Sequence, residues 1–195
     1  MSQAVISMLG SSSPYGLARL ILVPFSGSRG HPFELTVSAP RMISELLDLT
    51  ALESMRREVE RATGQTIRWR QGSGRVGGLA LPPVQRVPEL LQEARSEIAL
   101  REATGDQRAL LEATGYSGLF AMMIHPFADG NGRIGRLIWA RALMAALGDS
   151  QLVELFLKQL LSDEGGFYSD MRIASEGDVS AMMRRWHNTS VACGL

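Results

Sequence analysis

The sequence predicts a mostly α-helical domain carrying one short β-hairpin. Three observations point there. Apolar residues recur at helical spacing over most of the chain beyond Pro40. One alternating stretch, Thr66-Ile67-Arg68-Trp69-Arg70-Gln71, breaks that rhythm and runs into Gly72-Ser73-Gly74. The 195 residues suffice for one well-formed core and are few for two. With 45% apolar and 21% charged residues the composition is that of an ordinary globular chain, which excludes disorder as the main state.

Each element follows in order. Residues 1–40 are rich in Gly, Ser and Pro and show no helical period, so they read as an N-terminal extension of unknown role, with Leu20-Ile21-Leu22-Val23 as its one candidate strand. The helical domain spans 41–195. Met42, Ile43, Leu46, Leu47 and Leu49 fit one buried stripe, Met55 and Val59 continue it, and Gly64 suits its end. The hairpin follows at about 66–78, with Gly72-Ser73-Gly74 as its turn and Arg75-Val76 starting the return strand. Pro82-Pro83 closes it. Pro88 opens the next helix, where a missing N–H costs least, and Leu90, Leu91, Ala94 and Ile98 line its buried side.

A further helix covers about 107–124. It is apolar nearly all round after Tyr116, hence central, and Pro126 stops it. Another starts near Gly132, buries Leu137, Ile138, Leu143, Met144 and Leu147, and ends at Gly148. Stretches at about 150–162 and 178–188 complete the helices. Trp139 reads as packed, and His187 beside Trp186 as structural.

Charge and cysteine narrow the function. Twenty basic and twenty acidic side chains cancel, so no global field draws the chain to nucleic acid or an anionic membrane. Arg68, Arg70 and Arg75 make a local basic cluster around the hairpin, read as a solvated edge that resists aggregation. The single cysteine, Cys193, excludes an internal disulfide and reads as a loose terminal thiol. Residues 1–13 lack the basic and apolar regions of a signal peptide, and the apolar run 17–25 is too short to cross a bilayer. A soluble cytoplasmic protein is expected. The Ser-rich start also allows a leaderless secretion route, and with it export as an effector into a host cell.

Between the two apolar helices lies a segment too polar and glycine-rich for packing alone: His125-Pro126-Phe127-Ala128-Asp129-Gly130-Asn131-Gly132-Arg133-Ile134-Gly135-Arg136. Gly130-Asn131-Gly132 before a helix lets successive backbone N–H groups turn toward one anion, and the helix N-terminus adds partial positive charge. Arg133 and Arg136 are neighbours in the first turn and suit a di- or triphosphate. Asp129 among these cationic groups can hold Mg²⁺ together with phosphate oxygens and water. His125 is the group in the segment that titrates near neutrality, fit to take a proton from an attacking hydroxyl. Phe127 is expected to face inward and anchor the loop. Each residue has an ordinary alternative: a histidine cap, a plain turn, a solvated arginine face, an aspartate N-cap. Those alternatives have to hold jointly within one short segment. His31-Pro32-Phe33-Glu34 mimics the start of the segment but no glycine nest follows it.

The segment matches every fixed position of the signature His-x-Phe-x-(Asp/Glu)-Gly-Asn-Gly-Arg-x-x-Arg, and over about 64–190 the chain resembles the Fic family. The resemblance implies a compact Fic-type helical fold and AMP transfer from ATP, with Mg²⁺, to Ser, Thr or Tyr of a target protein. It implies His125 as catalytic base, Asp129 as Mg²⁺ ligand, Gly130, Asn131 and Gly132 as phosphate cradle, and Arg133 and Arg136 on the β- and γ-phosphates. The hairpin would be a flap that pairs with the target backbone by strand addition. Gly132 favours nucleotidyl transfer, because related Doc-type kinases tend to carry Lys there. The alternatives are a Doc-like protein kinase, transfer of another nucleotide such as UMP, or a non-catalytic nucleotide-binding module.

Many Fic proteins restrain themselves with a (Ser/Thr)-x-x-x-Glu-(Gly/Asn) helix. Ser54 and Glu58 have the spacing, but Val59 follows; Glu176-Gly177 and Glu164-Gly165 have the ending, but Arg172 and Leu160 stand at the Ser/Thr place. Glu58 is then an exposed helix residue. Restraint would come from a separate antitoxin-like chain, or the enzyme is unrestrained.

Overall fold

The computed structural model describes residues 14–22, 35 and 37–195. Eight α-helices and one two-stranded antiparallel ribbon make up its regular structure, with two short 3₁₀ turns at Ile43–Leu47 and Val84–Arg86. The mostly helical expectation holds. Residues 1–13, the mimic at 31–34 and Val23 lie outside the described residues.

Helix α1, Pro14–Leu22, replaces the expected strand. Leu17, Ala18, Ile21 and Leu22 turn inward on one helical stripe, and a short apolar run is compatible with either period until its neighbours decide. Those neighbours are two later helices, Asn131–Leu147 and Ser150–Leu160, so α1 joins the main core. The next stripe is not one helix. Asp48 stands extended and its Oδ1 accepts the Thr50 N–H at 2.8 Å, capping α2, Leu49–Thr63. The 3₁₀ turn precedes it, and its first amides, Ile43 and Ser44, donate to the Glu102 carboxylate at 2.6 and 2.9 Å. This break turns Met42 and Leu49 outward. Gly64, left-handed at φ 67°, ends α2 as expected.

The hairpin lies one strand further on than expected. Strand β1, Arg75–Val76, pairs with β2, Leu79–Ala80. Gly77 and Gly78, at φ 57° and 86°, form the two-residue turn that suits a twisted ribbon. Residues 67–70 are left unpaired with β1 because the segment 126–128 takes their backbone groups. Arg70 N–H donates to Pro126 O at 2.9 Å, and Ala128 N–H to Arg68 O at 2.8 Å.

Helix α3 is Val87–Glu102, α4 is Gln107–Ile124 and α5 is Asn131–Leu147. The last two pack together more extensively than any other described pair. Gly118 and Gly135 allow it: a Cβ on Gly118 would meet Gly135 O at 2.6 Å, and one on Gly135 would meet Met122 Cγ at 2.5 Å. Trp139 is fully buried beside them, donates to Gly115 O at 2.9 Å, and packs on Trp186.

Helices α6, Ser150–Leu160, α7, Glu164–Ser175, and α8, Ser180–Ala192, close the fold. Helix α7 was not expected; Gly165, Gly166 and Gly177 mask a real apolar spacing of Phe167, Met171 and Ala174. Two other expectations fail here. Cys193 is buried in the core, because α8 carries it against the other helices, and burial pushes its thiol pKa up. His187 is exposed rather than structural. Among the described residues no helix is long and apolar enough to cross a membrane.

Candidate active site

The site forms where α4 ends and α5 begins. Helix α4 stops at His125, which takes the left-handed conformation at φ 56°, ψ 59°. It is the one non-glycine at positive φ among the described residues. Such a conformation costs a Cβ-bearing residue energy, and it persists where surrounding bonds over-determine it. Here His125 N–H donates to Ala121 O at 3.2 Å and the ring Nδ1 lies 3.1 Å from Met122 O. A carbonyl only accepts, so Nδ1 carries the proton of the neutral ring and Nε2 keeps its lone pair. Burial lowers the imidazole pKa below its ordinary value of 6.5, and the Arg70 charge adds to that; the Met122 bond and Asp129 oppose it. The ring is therefore neutral at neutral pH, with Nε2 as a free base.

The loop after Pro126 is clasped from within. Asn131 is 4% exposed; its Oδ1 accepts Phe127 N–H at 3.0 Å and its Nδ2 donates to Phe127 O at 2.8 Å. The Asn131 side chain thus braces the loop and is not spare for a ligand. Phe127 faces inward as expected, fully buried, with the Trp69 ring 4.5 Å away. Gly130 is left-handed at φ 83°, and a Cβ there would meet Ile67 Cδ1 at 2.7 Å. Asp129 is exposed and its Oδ1 accepts the Gly130 N–H at 2.6 Å.

Helix α5 then begins without a side-chain cap. Its first intrahelical bond is Ile134 N–H to Gly130 O, so the amides of Asn131, Gly132 and Arg133 have no partner within the helix. Arg133 is half-buried, and its buried Nη1 has no hydrogen-bond partner among the described residues. Arg136 is buried. Its Nε donates to Ile21 O of α1 at 2.8 Å. Burial pushes the Arg136 guanidinium down to about 10, with Arg133 acting in the same direction, so it stays charged at neutral pH. Uncapped amides, a helix N-terminus and two guanidiniums together have the chemistry to hold an anion.

A cavity of about 1100 Å³ opens from this point. His125, Asn131, Gly132 and Arg136 line one end; Asp129, Gly130 and Arg133 do not line it. The hairpin supplies Val76 and Leu79 to its lining, and α7 supplies Phe167, Tyr168 and Met171. These α7 residues are contributors that sequence spacing could have revealed. Arg70 does not line the cavity; expected on a solvated edge, it is 8% exposed, with its guanidinium on backbone carbonyls. Arg68 and Arg75 are exposed as expected.

No acidic group of the described residues forms an ion pair with Arg136. Glu58, expected to be exposed, is half-buried and pairs with Arg141 at 2.6 Å, while Glu176 pairs with Arg172 at 2.6 Å. Among the described residues no three His, Cys, Asp or Glu cluster to hold a metal. Asp129 is a single exposed carboxylate, which fits a Mg²⁺ that takes its remaining ligands from phosphate oxygens and water.

Known proteins place this arrangement. The model of the Fic/DOC family matches residues 44–143, from the first 3₁₀ turn through most of α5. A crystal structure of a Fic family protein from Desulfovibrio desulfuricans G20 superposes with a TM-score of 0.57 at 22% identity. The likeness covers 98% of this chain and 61% of that one. Among curated proteins nothing matches. By the family match over half its length, and in a fold that agrees, the chain belongs to the Fic/DOC family, whose members are generally transferases.

Proposed function

We propose that the chain transfers AMP from ATP to a Ser, Thr or Tyr hydroxyl of a target protein. One observation carries this: a neutral, half-buried His125 with a free Nε2 lines the same cavity as the uncapped start of α5 and Arg136.

The anion site would hold the triphosphate. The amides of Gly132 and its neighbours, with Arg133 and Arg136, would neutralise charge on the β- and γ-phosphates, as phosphoryl-type transfer requires. The target hydroxyl oxygen would attack the α-phosphorus, forming the new P–O bond while the bond to the β-phosphate oxygen breaks and pyrophosphate leaves. His125 Nε2 would take the hydroxyl proton, a contribution of about 10²–10⁴ in rate. Asp129 would hold a Mg²⁺, which supplies charge neutralisation to the phosphates. The hairpin edge above the cavity would present the target segment to the imidazole by strand addition. Gly132 supports nucleotidyl transfer over phosphorylation, since a Cβ there would already meet Arg136 Nη1 at 3.3 Å and a longer side chain would enter the nest.

The test is incubation of the full chain with ATP, Mg²⁺ and a cell lysate. α-labelled ATP should label protein bands, and His125→Ala should abolish them. Label appearing from γ-labelled ATP alone makes the protein a kinase. Preference for UTP changes the donor. Nucleotide binding with no labelling of any protein makes the chain a binding module. A +AMP mass on a hydroxyl side chain of a co-expressed proteome, absent with His125→Ala, identifies the acceptor.

A further inference from the structure

Arg70 has no role in the signature that defines the site, yet it is among the most buried charges of the molecule. It is 8% exposed, and among the described residues no carboxylate forms an ion pair with it. A buried, unpaired guanidinium is costly unless its donors are satisfied. Here they are satisfied by backbone carbonyls alone. Nε donates to His125 O at 2.9 Å, Nη2 to Ile124 O at 3.4 Å and Nη1 to Gly72 O at 3.1 Å.

Two of these carbonyls belong to the C-terminal end of α4, where the last carbonyls lack helical partners and carry partial negative charge. A cation suits that end, and a planar fork suits two adjacent carbonyls better than a point charge does. The third carbonyl leads into the hairpin. The backbone of Arg70 is also tied to the loop, through its N–H to Pro126 O. The stem is anchored from the other side as well. Trp69 Nε1 donates to Glu53 at 3.0 Å, and Arg56 Nη1 donates to Ile67 O at 2.7 Å.

We infer that Arg70 is a positioning residue for transfer: its guanidinium holds the His125 backbone in the left-handed conformation that turns the imidazole to the cavity, and it couples the hairpin stem to that residue. This rests on His125 being the base, as proposed above. The left-handed backbone motivates the inference. A residue with a Cβ is uncommon in that conformation; its own N–H and ring are held by Ala121 O and Met122 O, and Arg70 adds the grip on the carbonyl that follows. The charged side chains acting on the imidazole are Arg70 from the stem and Asp129 from the loop.

The experiment compares the full-length chain with Arg70→Met and Arg70→Lys. Three quantities are read: the labelling rate at saturating α-labelled ATP with Mg²⁺, the ATP affinity by calorimetry, and the His125 imidazole resonances by NMR of the nucleotide-free protein. Arg70→Met should label about 100-fold more slowly, the scale of a misplaced catalytic group. Its ATP affinity should stay within about twofold, because the nest on α5 is untouched. Its imidazole should titrate at higher pH, since a nearby positive charge is gone. Arg70→Lys keeps the charge but not the fork, so it should recover the titration fully and the rate in part. Labelling by Arg70→Met at the wild-type rate, a loss of ATP affinity in step with the rate, or an unaltered imidazole would each overturn the inference. Should Arg70→Met not fold, Arg70→Gln carries the same three expectations. The imidazole measurement needs no transfer, so it still tests Arg70 if His125→Ala labels as fast as wild type and the function proposed above fails.

Discussion

The segment 125–136 and the hairpin at 74–81 border one cavity but are held in opposite ways. The segment hangs between α4 and α5, whose close crossing at Gly118 and Gly135 leaves little room to move. Its hydrophobic anchor Phe127 is fully buried, and Asn131 closes it with two internal hydrogen bonds. The hairpin has two strands of two residues each, largely exposed, and a Cβ added to either turn glycine would meet nothing within 4 Å. The lesson is a division of labour. Chemistry that needs atoms held within a fraction of an ångström is built on packed helices. A short exposed ribbon keeps its backbone groups open, which is what the proposed strand addition requires.

The largest effect should come from breaking the packed side. Gly118→Val places atoms against Gly135 O and the Trp139 ring, both already about 2.5 Å from a bare Cβ. Overpacking of this kind costs about 1–3 kcal/mol, and each kcal/mol lowers Tm by roughly 2–4 °C in a chain of this size. Thermal denaturation measures it, and an unchanged Tm would mean that α4 and α5 separate easily.

A medium effect should appear in the pH profile. In the proposed transfer His125 acts as a base when neutral, and its pKa is lowered from 6.5 by burial. Labelling should be flat at neutral pH and above, then fall about tenfold per unit below the lowered pKa. The same shift makes the folded state bind fewer protons than the unfolded chain. The stability due to the neutral ring is present above 6.5 and is lost as pH falls through the lowered value. A rate with no fall on the acid side while the imidazole is seen by NMR to become protonated would remove His125 from the proton transfer.

The smallest global effect should come from the hairpin. Gly77→Ala puts a Cβ at φ 57°, which costs about 1 kcal/mol in the turn. Protein labelling should drop about fivefold, with Tm falling by no more than about 2–4 °C and the pH profile unmoved. A Tm loss as large as that of Gly118→Val would show that the hairpin belongs to the core after all.

How much was legible in advance follows the same division. The helices 107–124 and 131–147 and the stop at Gly64 come from long periodic stretches and strong cap residues, where local preference and packing agree. The inward Phe127 and the packed Trp139 were readable for the same reason. The errors fall where local signals are short or compete. The apolar run at 20–22 fits either period, and contact with α5 and α6 made it a helix. The residues 67–70 alternate like a strand and do pair, but with the loop at 126–128 rather than with Arg75-Val76. The glycines of α7 hid an apolar wall of the cavity.

By itself the sequence determined the helical class and the family signature of the segment 125–136, because those depend on spacing and side-chain type within short stretches. Only the tertiary structure decided that Arg70, read as a surface charge, grips the carbonyl of His125, that Cys193 is core, and that Glu58 meets Arg141 rather than Arg136. Each of these joins residues far apart in the chain. Whether a charge ends in water or on a distant carbonyl depends on which surfaces the packed helices bring together, and that is a property of the whole core rather than of any window of sequence.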